Sequence, residues 1–62
     1  MFYIVSGYHK EEGHISHEFD TLNDARRYFK HNKQYFAYCE LKKAHYGNGY
    51  YYAESVEIYN SK

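Results

Sequence analysis

The dipeptide Asn48-Gly49 stands between two runs of aromatic and β-branched residues, "YFAYCELKKAHY" before it and "YYYAESVEIY" after it. Asn-Gly is the strongest short signal for a two-residue β-hairpin, because both turn positions need positive φ and these residues accept it at little cost. Residues 35–46 and 50–59 are therefore predicted to be antiparallel strands, and the turn fixes their register. Gly47 faces Tyr50, His45 faces Tyr52, Lys43 faces Glu54, Leu41 faces Val56 and Cys39 faces Ile58. Facing residues share one side of a sheet, so Ala37, Cys39, Leu41, Val56 and Ile58 form a clean apolar set. A three-residue loop would instead set Glu40 against Val56, and a buried face selects the register that keeps it apolar.

The first third of the chain reads the same way. "FYIVSGYH", residues 2–9, is β-branched and aromatic, "KEEG" is a polar turn ending in glycine, and "HISHEF", residues 14–19, alternates. With residues 10–13 as the loop, Tyr8 faces Ile15, Ser6 faces His17 and Ile4 faces Phe19. Those residues and Phe2 are the expected core side.

Between the hairpins lies "DTLNDARRYFKHN", a helix signature. Thr21 is the expected N-cap, with Asp24 three residues on in an approximate capping box. Lys30 and His31 come late, where cations favour a helix end. Leu22, Ala25 and Phe29 share one face with Tyr28 at its edge, and Asn32 is read as a left-handed C-cap. The expected fold is α+β, in the order ββαββ: a four-stranded antiparallel sheet with one helix packed on one face. Residues 1–62 form a single domain, without linker or repeat.

One helix cannot cover both faces of a sheet. The uncovered side is expected to show Tyr3, Val5, His9, His14 and Glu18 from the first hairpin. From the second it is expected to show Phe36, Tyr38, Glu40, Lys42, Tyr46, Tyr51, Ser55, Glu57 and Tyr59. Half of the ten tyrosines lie in residues 45–59, so much of the ring content is surface by geometry. Tyrosine has high β propensity, and cross-strand aromatic pairs such as Tyr38–Tyr59 and Tyr46–Tyr51 can serve the fold alone. Contiguous exposed aromatics also mark contact surfaces. The expected partner-binding residues are Tyr3, Phe36, Tyr38, Glu40, Tyr46, Tyr51, Glu57 and Tyr59. Glu40 and Glu57 are expected to face each other, a like-charge pair that a partner's cation or Lys42 would relieve.

Chemistry-bearing motifs are sparse. His9 and His14 are expected to face each other beside the first turn and His17 to point the other way, so no three ligands converge and no metal or cofactor is expected. His17 beside Ser6 is read as partly buried and hydrogen-bonded. The facing carboxylates would stand on a flat open sheet, which offers no pocket to raise a pKa or exclude water. Cys39 lies on the core side as a small hydrophobe. "GNG" joins strands and opens no helix, so no phosphate loop exists. The chain is read as non-enzymatic.

Eight basic residues balance eight acidic ones, so the net positive field that drives most nucleic-acid binding is missing. The single cysteine and the short apolar start, "MFYIVSG", fit a soluble protein of a reducing cytoplasm, with no membrane segment. Abundant Tyr, Lys, Asn, Phe and Ile with no proline fit AT-rich codons, as in many phages and low-GC bacteria. The leading expectation is a small phage or mobile-element inhibitor, working in the host cytoplasm, that occludes a host or defence protein with an aromatic sheet face. Two other classes stand beside it. One is a single-stranded nucleic-acid binder that stacks bases on sheet aromatics, which the neutral charge and the face's glutamates oppose. The other is a self-assembling structural subunit, a homodimer in its simplest form.

Overall fold

The computed structural model describes residues 1–61. Strands β1 (Phe2–His9) and β2 (Gly13–Phe19) are followed by helix α1 (Leu22–Asn32), a 3₁₀ turn (Lys33–Tyr35), and strands β3 (Phe36–Gly47) and β4 (Tyr50–Asn60). All strand pairs are antiparallel and the sheet order is β2-β1-β3-β4. The expected ββαββ fold is thus observed. The helix carries the chain over β1, so β2 and β3 flank the same central strand. Helix α1 packs chiefly on β1, β3 and β2, touching β4 only near Glu57 and Tyr59.

Local chemistry explains the helix boundaries. The Thr21 hydroxyl accepts from the Asp24 amide at 3.1 Å, an N-cap bond that satisfies one of the free first-turn donors. The far end departs from expectation. Asn32 has φ −116° and the chain runs straight into the 3₁₀ turn, so it is no left-handed cap. Its side-chain amide donates to the Tyr28 carbonyl at 2.9 Å instead.

The core gathers Val5, Ala25, Phe29, Phe36, Cys39 and Leu41, all buried, with Tyr3, Ile15, Phe19, Leu22, Tyr28 and Tyr59 packed around them. Three single-residue shifts separate this core from the expected one. The first lies at the β1–β2 turn, where His9 pairs with Gly13 and the loop has three residues, Lys10 to Glu12. Gly13 takes φ +84°, the left-handed residue that closes a three-residue hairpin. The His9 Nδ1 accepts from the Glu11 and Glu12 amides at 3.1 Å each and holds the turn. One residue of slip turns a strand over. Tyr3, Val5, Gly7 and His9 therefore face the helix, whereas Phe2, Ile4, Ser6 and Tyr8 lie on the other side.

The second shift is a bulge in β3 opposite Tyr8 and His9: Tyr8 pairs with Tyr38, but His9 pairs with Phe36. Ala37 is the extra residue, exposed, and Phe36 turns into the core at 1 % exposure. The third is a bulge in β4 at Val56. Lys42 pairs with Ser55, but Leu41 pairs with Glu57 and Cys39 with Tyr59. The turn-proximal register holds as expected from Gly47–Tyr50 to Lys43–Glu54, and beyond it β4 is turned over. Val56 and Ile58 are consequently exposed and not core.

Candidate contact surface on the open sheet face

Alternation of side chains along each strand and the observed registers place Phe2, Ile4, Ser6 and Tyr8 of β1 on the face away from the helix. His14, Ser16 and Glu18 of β2 join them, as do Tyr38, Glu40, Lys42, Ala44 and Tyr46 of β3. From β4 come Tyr51, Ala53, Ser55, Ile58 and Asn60. No helix or loop among the described residues packs over this face.

Aromatic rings occupy both ends of it. At one end Phe2, Ala44 and Ala53 align across three strands. The two alanines form a low floor, and Ala44 is fully buried although it faces away from the helix. Above them the Phe2 ring lies 5.7 Å from Tyr46 and 6.2 Å from Tyr51, with Tyr46 and Tyr51 6.1 Å apart. Those separations are in the range of favourable aromatic pairs. The rings still meet solvent: Tyr46 is 76 % exposed and Tyr51 56 %. At the other end Tyr8 and Tyr38 pair across β1 and β3, both exposed. The Tyr38 hydroxyl donates to Glu40 Oε1 at 3.1 Å, and this bond raises the phenol above its ordinary value near 10. The middle is mixed: buried Ile4 and exposed Ile58 lie among Ser6, Ser16, Glu18, Glu40, Lys42 and Ser55, and among the described residues Lys42 is the one lysine or arginine on the face.

Four of the eight expected contact residues come together here: Tyr38, Glu40, Tyr46 and Tyr51. The other four do not. Tyr3 turned over with β1 and packs against the core. Phe36 is buried by the β3 bulge, and Glu57 and Tyr59 were carried to the helix side by the β4 bulge. There the Lys33 ammonium sits between two rings, 5.3 Å from that of Tyr59 and 5.7 Å from that of Phe29. Tyr38 accordingly faces Asn60, and Glu40 faces Ile58. The expected Tyr38–Tyr59 pair and the Glu40–Glu57 charge pair are absent, while Tyr46–Tyr51 is present. Phe2 and Tyr8, with Ile4 and Ser6 between them, and Ile58 are the face residues that the strand pattern had assigned to the core side. A turn glycine at residue 13 was the available signal for those of β1; no signal marked Val56 as a bulge.

The same hairpin is aromatic on its other side. The Tyr52 ring lies tilted 5.5 Å from His45 and 6.4 Å from Tyr50, and both tyrosines are about half exposed or more. The molecule measures 37 × 20 × 18 Å.

The remaining titratable groups do not converge. No group of three or more His, Cys, Asp or Glu fit to hold a metal exists among the described residues. His9 and His14 lie on opposite faces, since His14 pairs with Tyr8. His17 pairs with Val5, not Ser6, and is exposed with its ring 5.0 Å from Tyr28. Cys39 has no exposed surface, and burial pushes its thiol up to about 11. A shallow depression of about 500 Å³ lies between α1 and the end of β2. Its one carboxylate, Asp24, pairs with Arg27 at 3.5 Å. A second depression, near 280 Å³, holds Glu57 among Arg26, Lys30 and Lys33. Neither sets two carboxylates, or a nucleophile and a base, side by side. No helix among the described residues is long and apolar enough to cross a membrane.

Compared with protein-family models, with curated proteins and with solved structures, the chain matches none.

Proposed function

We propose that the protein is a non-enzymatic binding module that occludes a surface of a partner protein with its open sheet face. The observation that carries this reading is the Phe2–Tyr46–Tyr51 cluster, three rings in mutual contact on a face that no described element covers. Buried in a core, such rings would need no further reason. Held in solvent they give up apolar contact that a partner would supply, and Tyr is enriched at the centres of interfaces. The segment from Tyr46 to Ser55, "YGNGYYYAES", has the Tyr, Gly, Asn and Ser composition of antibody contact loops. It sits on a hairpin, which fixes the rings in advance and lowers the ordering cost of binding.

Small size and a composition suited to AT-rich codons fit a phage or mobile-element inhibitor of a host or defence protein, acting in the host cytoplasm. A photo-reactive phenylalanine analogue at Tyr51 tests the reading, with the same group at His31 on the helix as control. In lysate of the source cell the first site should crosslink a single protein, and Tyr46→Thr with Tyr51→Thr should abolish its capture. Equal crosslinking from His31, or full capture by the folded double variant, would refute occlusion by this face.

A further inference from the structure

We infer that β4 pairs edge to edge with β4 of a second copy, about a two-fold axis at Ala53. This does not rest on the foreign partner proposed above. Strand β4 is the bare edge of the sheet, eleven residues long with almost every side chain exposed. Sheets usually protect such an edge with charged residues, proline, a bulge or a covering element, and β4 has its bulge only at Val56. Between Tyr50 and Ser55 there is one charge, Glu54, with no lysine, proline or bulge, and the contacts of β4 with the helix side lie beyond this stretch, at Glu57 and Tyr59.

The turn geometry says which backbone groups face outward. Asn48 and Gly49 both have positive φ, 52° and 82°, as in a type I′ turn, so Gly47 and Tyr50 exchange both hydrogen bonds. In an antiparallel ladder bonded and non-bonded pairs alternate. Tyr50, Tyr52 and Glu54 therefore bond inward to β3, and the amides and carbonyls of Tyr51, Ala53 and Ser55 point out. The hairpin turn ends this outward row on one side and the Val56 bulge ends it on the other, and Ala53 is its midpoint.

A two-fold axis at Ala53, perpendicular to the sheet, lays the row against its own copy. Ala53 then exchanges two bonds with Ala53 of the second copy, and Tyr51 exchanges two with Ser55 in each direction. All six outward donors and six outward acceptors lie within one register, and Tyr52 falls opposite Glu54. The neighbouring register centred on Glu54 would face two glutamates, and the one centred on Tyr52 would make fewer bonds. The helices sit over β1, β2 and β3, away from the axis, so they do not obstruct the approach.

The area suits a modest dimer. Tyr50, Tyr51 and Tyr52 are 66, 56 and 48 % exposed. At ~200 Å² per ring they offer about 340 Å² per copy. With Val56, Ile58 and the strand's edge, the pair comes near the ~1,000 Å² at which specific interfaces begin. The product is an isologous, closed dimer with one continuous eight-stranded sheet. Its two open faces merge, with both Tyr51 rings beside the axis.

Sedimentation velocity across a concentration series tests this on the full chain. Wild type should show a reversible monomer–dimer equilibrium, and the amides of Tyr51, Ala53 and Ser55 should gain exchange protection as dimer forms. Ala53→Pro removes an outward donor without touching the β3 ladder and should weaken dimerisation at least tenfold. Ala53→Lys and Ala53→Glu place like charges at the axis, so each alone should be monomeric with a native circular dichroism spectrum. Mixed together they should restore a heterodimer. A wild type that stays monomeric to millimolar concentration overturns the inference. So does a dimer that persists in folded Ala53→Lys, or one that Tyr46→Thr disrupts while Ala53→Lys does not.

Discussion

Replacing Gly7 by alanine should unfold most of the protein, for a reason visible only in the tertiary structure. Gly7 lies buried in β1 between Ile15 and Cys39, next to the β3 bulge. A Cβ built on it would stand 2.0 Å from the Tyr38 carbonyl oxygen and 2.8 Å from the Cys39 Cα. Ordinary contact begins at 3.4 Å, so β1 and β3 would have to part by more than an ångström at the centre of the sheet. The obstructing atoms are backbone, and no rotamer change relieves them. A glycine inside a strand often marks such a close approach. Overpacking costs typically ~1–3 kcal/mol and at times more, while a domain of this size holds only ~3–5 kcal/mol in reserve. At ~4–8 °C per kcal/mol, the thermal midpoint of Gly7→Ala should fall by at least ten degrees, read by far-ultraviolet circular dichroism. Gly47→Ala is the matched control. Its Cβ would meet the edge of the Tyr52 ring at 3.4 Å, a side chain free to shift, and its midpoint should stay within a few degrees of wild type. Equal midpoints for the two variants would show that β1 and β3 do not approach as described.

Leu41 and Phe29, 0 and 2 % exposed in one cluster, should each cost ~2–5 kcal/mol when cut to alanine, leaving both variants largely unfolded at 25 °C by circular dichroism. Burial raises the Cys39 thiol to about 11 and the Tyr28 phenol above 10. The unfolded chain therefore loses these protons first, and the stability they give is complete below about pH 8.5 and drains away as pH rises towards 11. Urea unfolding from pH 8 to 10.5 should show this fall, and Cys39→Ala should make it shallower; identical slopes would count against a buried thiol. Labelled single-stranded DNA and RNA at physiological salt should form no micromolar complex, since one lysine on the open face releases few counterions; a tight, salt-sensitive complex would favour base stacking on the same rings.

Much of the fold was legible because its signals are local. Asn48-Gly49 set the outer half of the second hairpin to the residue, and Thr21 with Asp24 set the start of the helix. Leu22, Ala25 and Phe29 named its buried stripe. What periodicity could not supply were the three single-residue shifts. Two depend on contacts made at a distance: Ala37 yielding so that Phe36 fills the core, and Val56 yielding so that Tyr59 covers Cys39. The third is local, Gly13 closing a three-residue turn in place of a four-residue one. A pattern of period two has no memory of an extra residue, so everything beyond a bulge is assigned to the wrong face. That is why Tyr46 and Tyr51, between the Asn-Gly turn and the Val56 bulge, were placed correctly and Tyr59 was not.

The same bulges bear on what the surface is for. By turning Phe36 and Tyr59 inward they complete a core that one short helix could not fill, and they leave Ala37, Val56 and Ile58 in solvent. Had the rings at the hairpin tip been needed for stability, the route was open: the chain shows twice that it can fold an aromatic residue inward by adding one residue to a strand. Around Tyr46, Tyr50, Tyr51 and Tyr52 the strands are regular and the rings stay out. Cross-strand pairing accounts for about 0.2–1 kcal/mol per aromatic pair, and a pair needs two rings on one face. With Phe2 added to Tyr46 and Tyr51 on one face, and His45 to Tyr50 and Tyr52 on the other, each face carries three rings, one more than a pair needs. The excess argues for a partner that touches both the face and the edge of this hairpin.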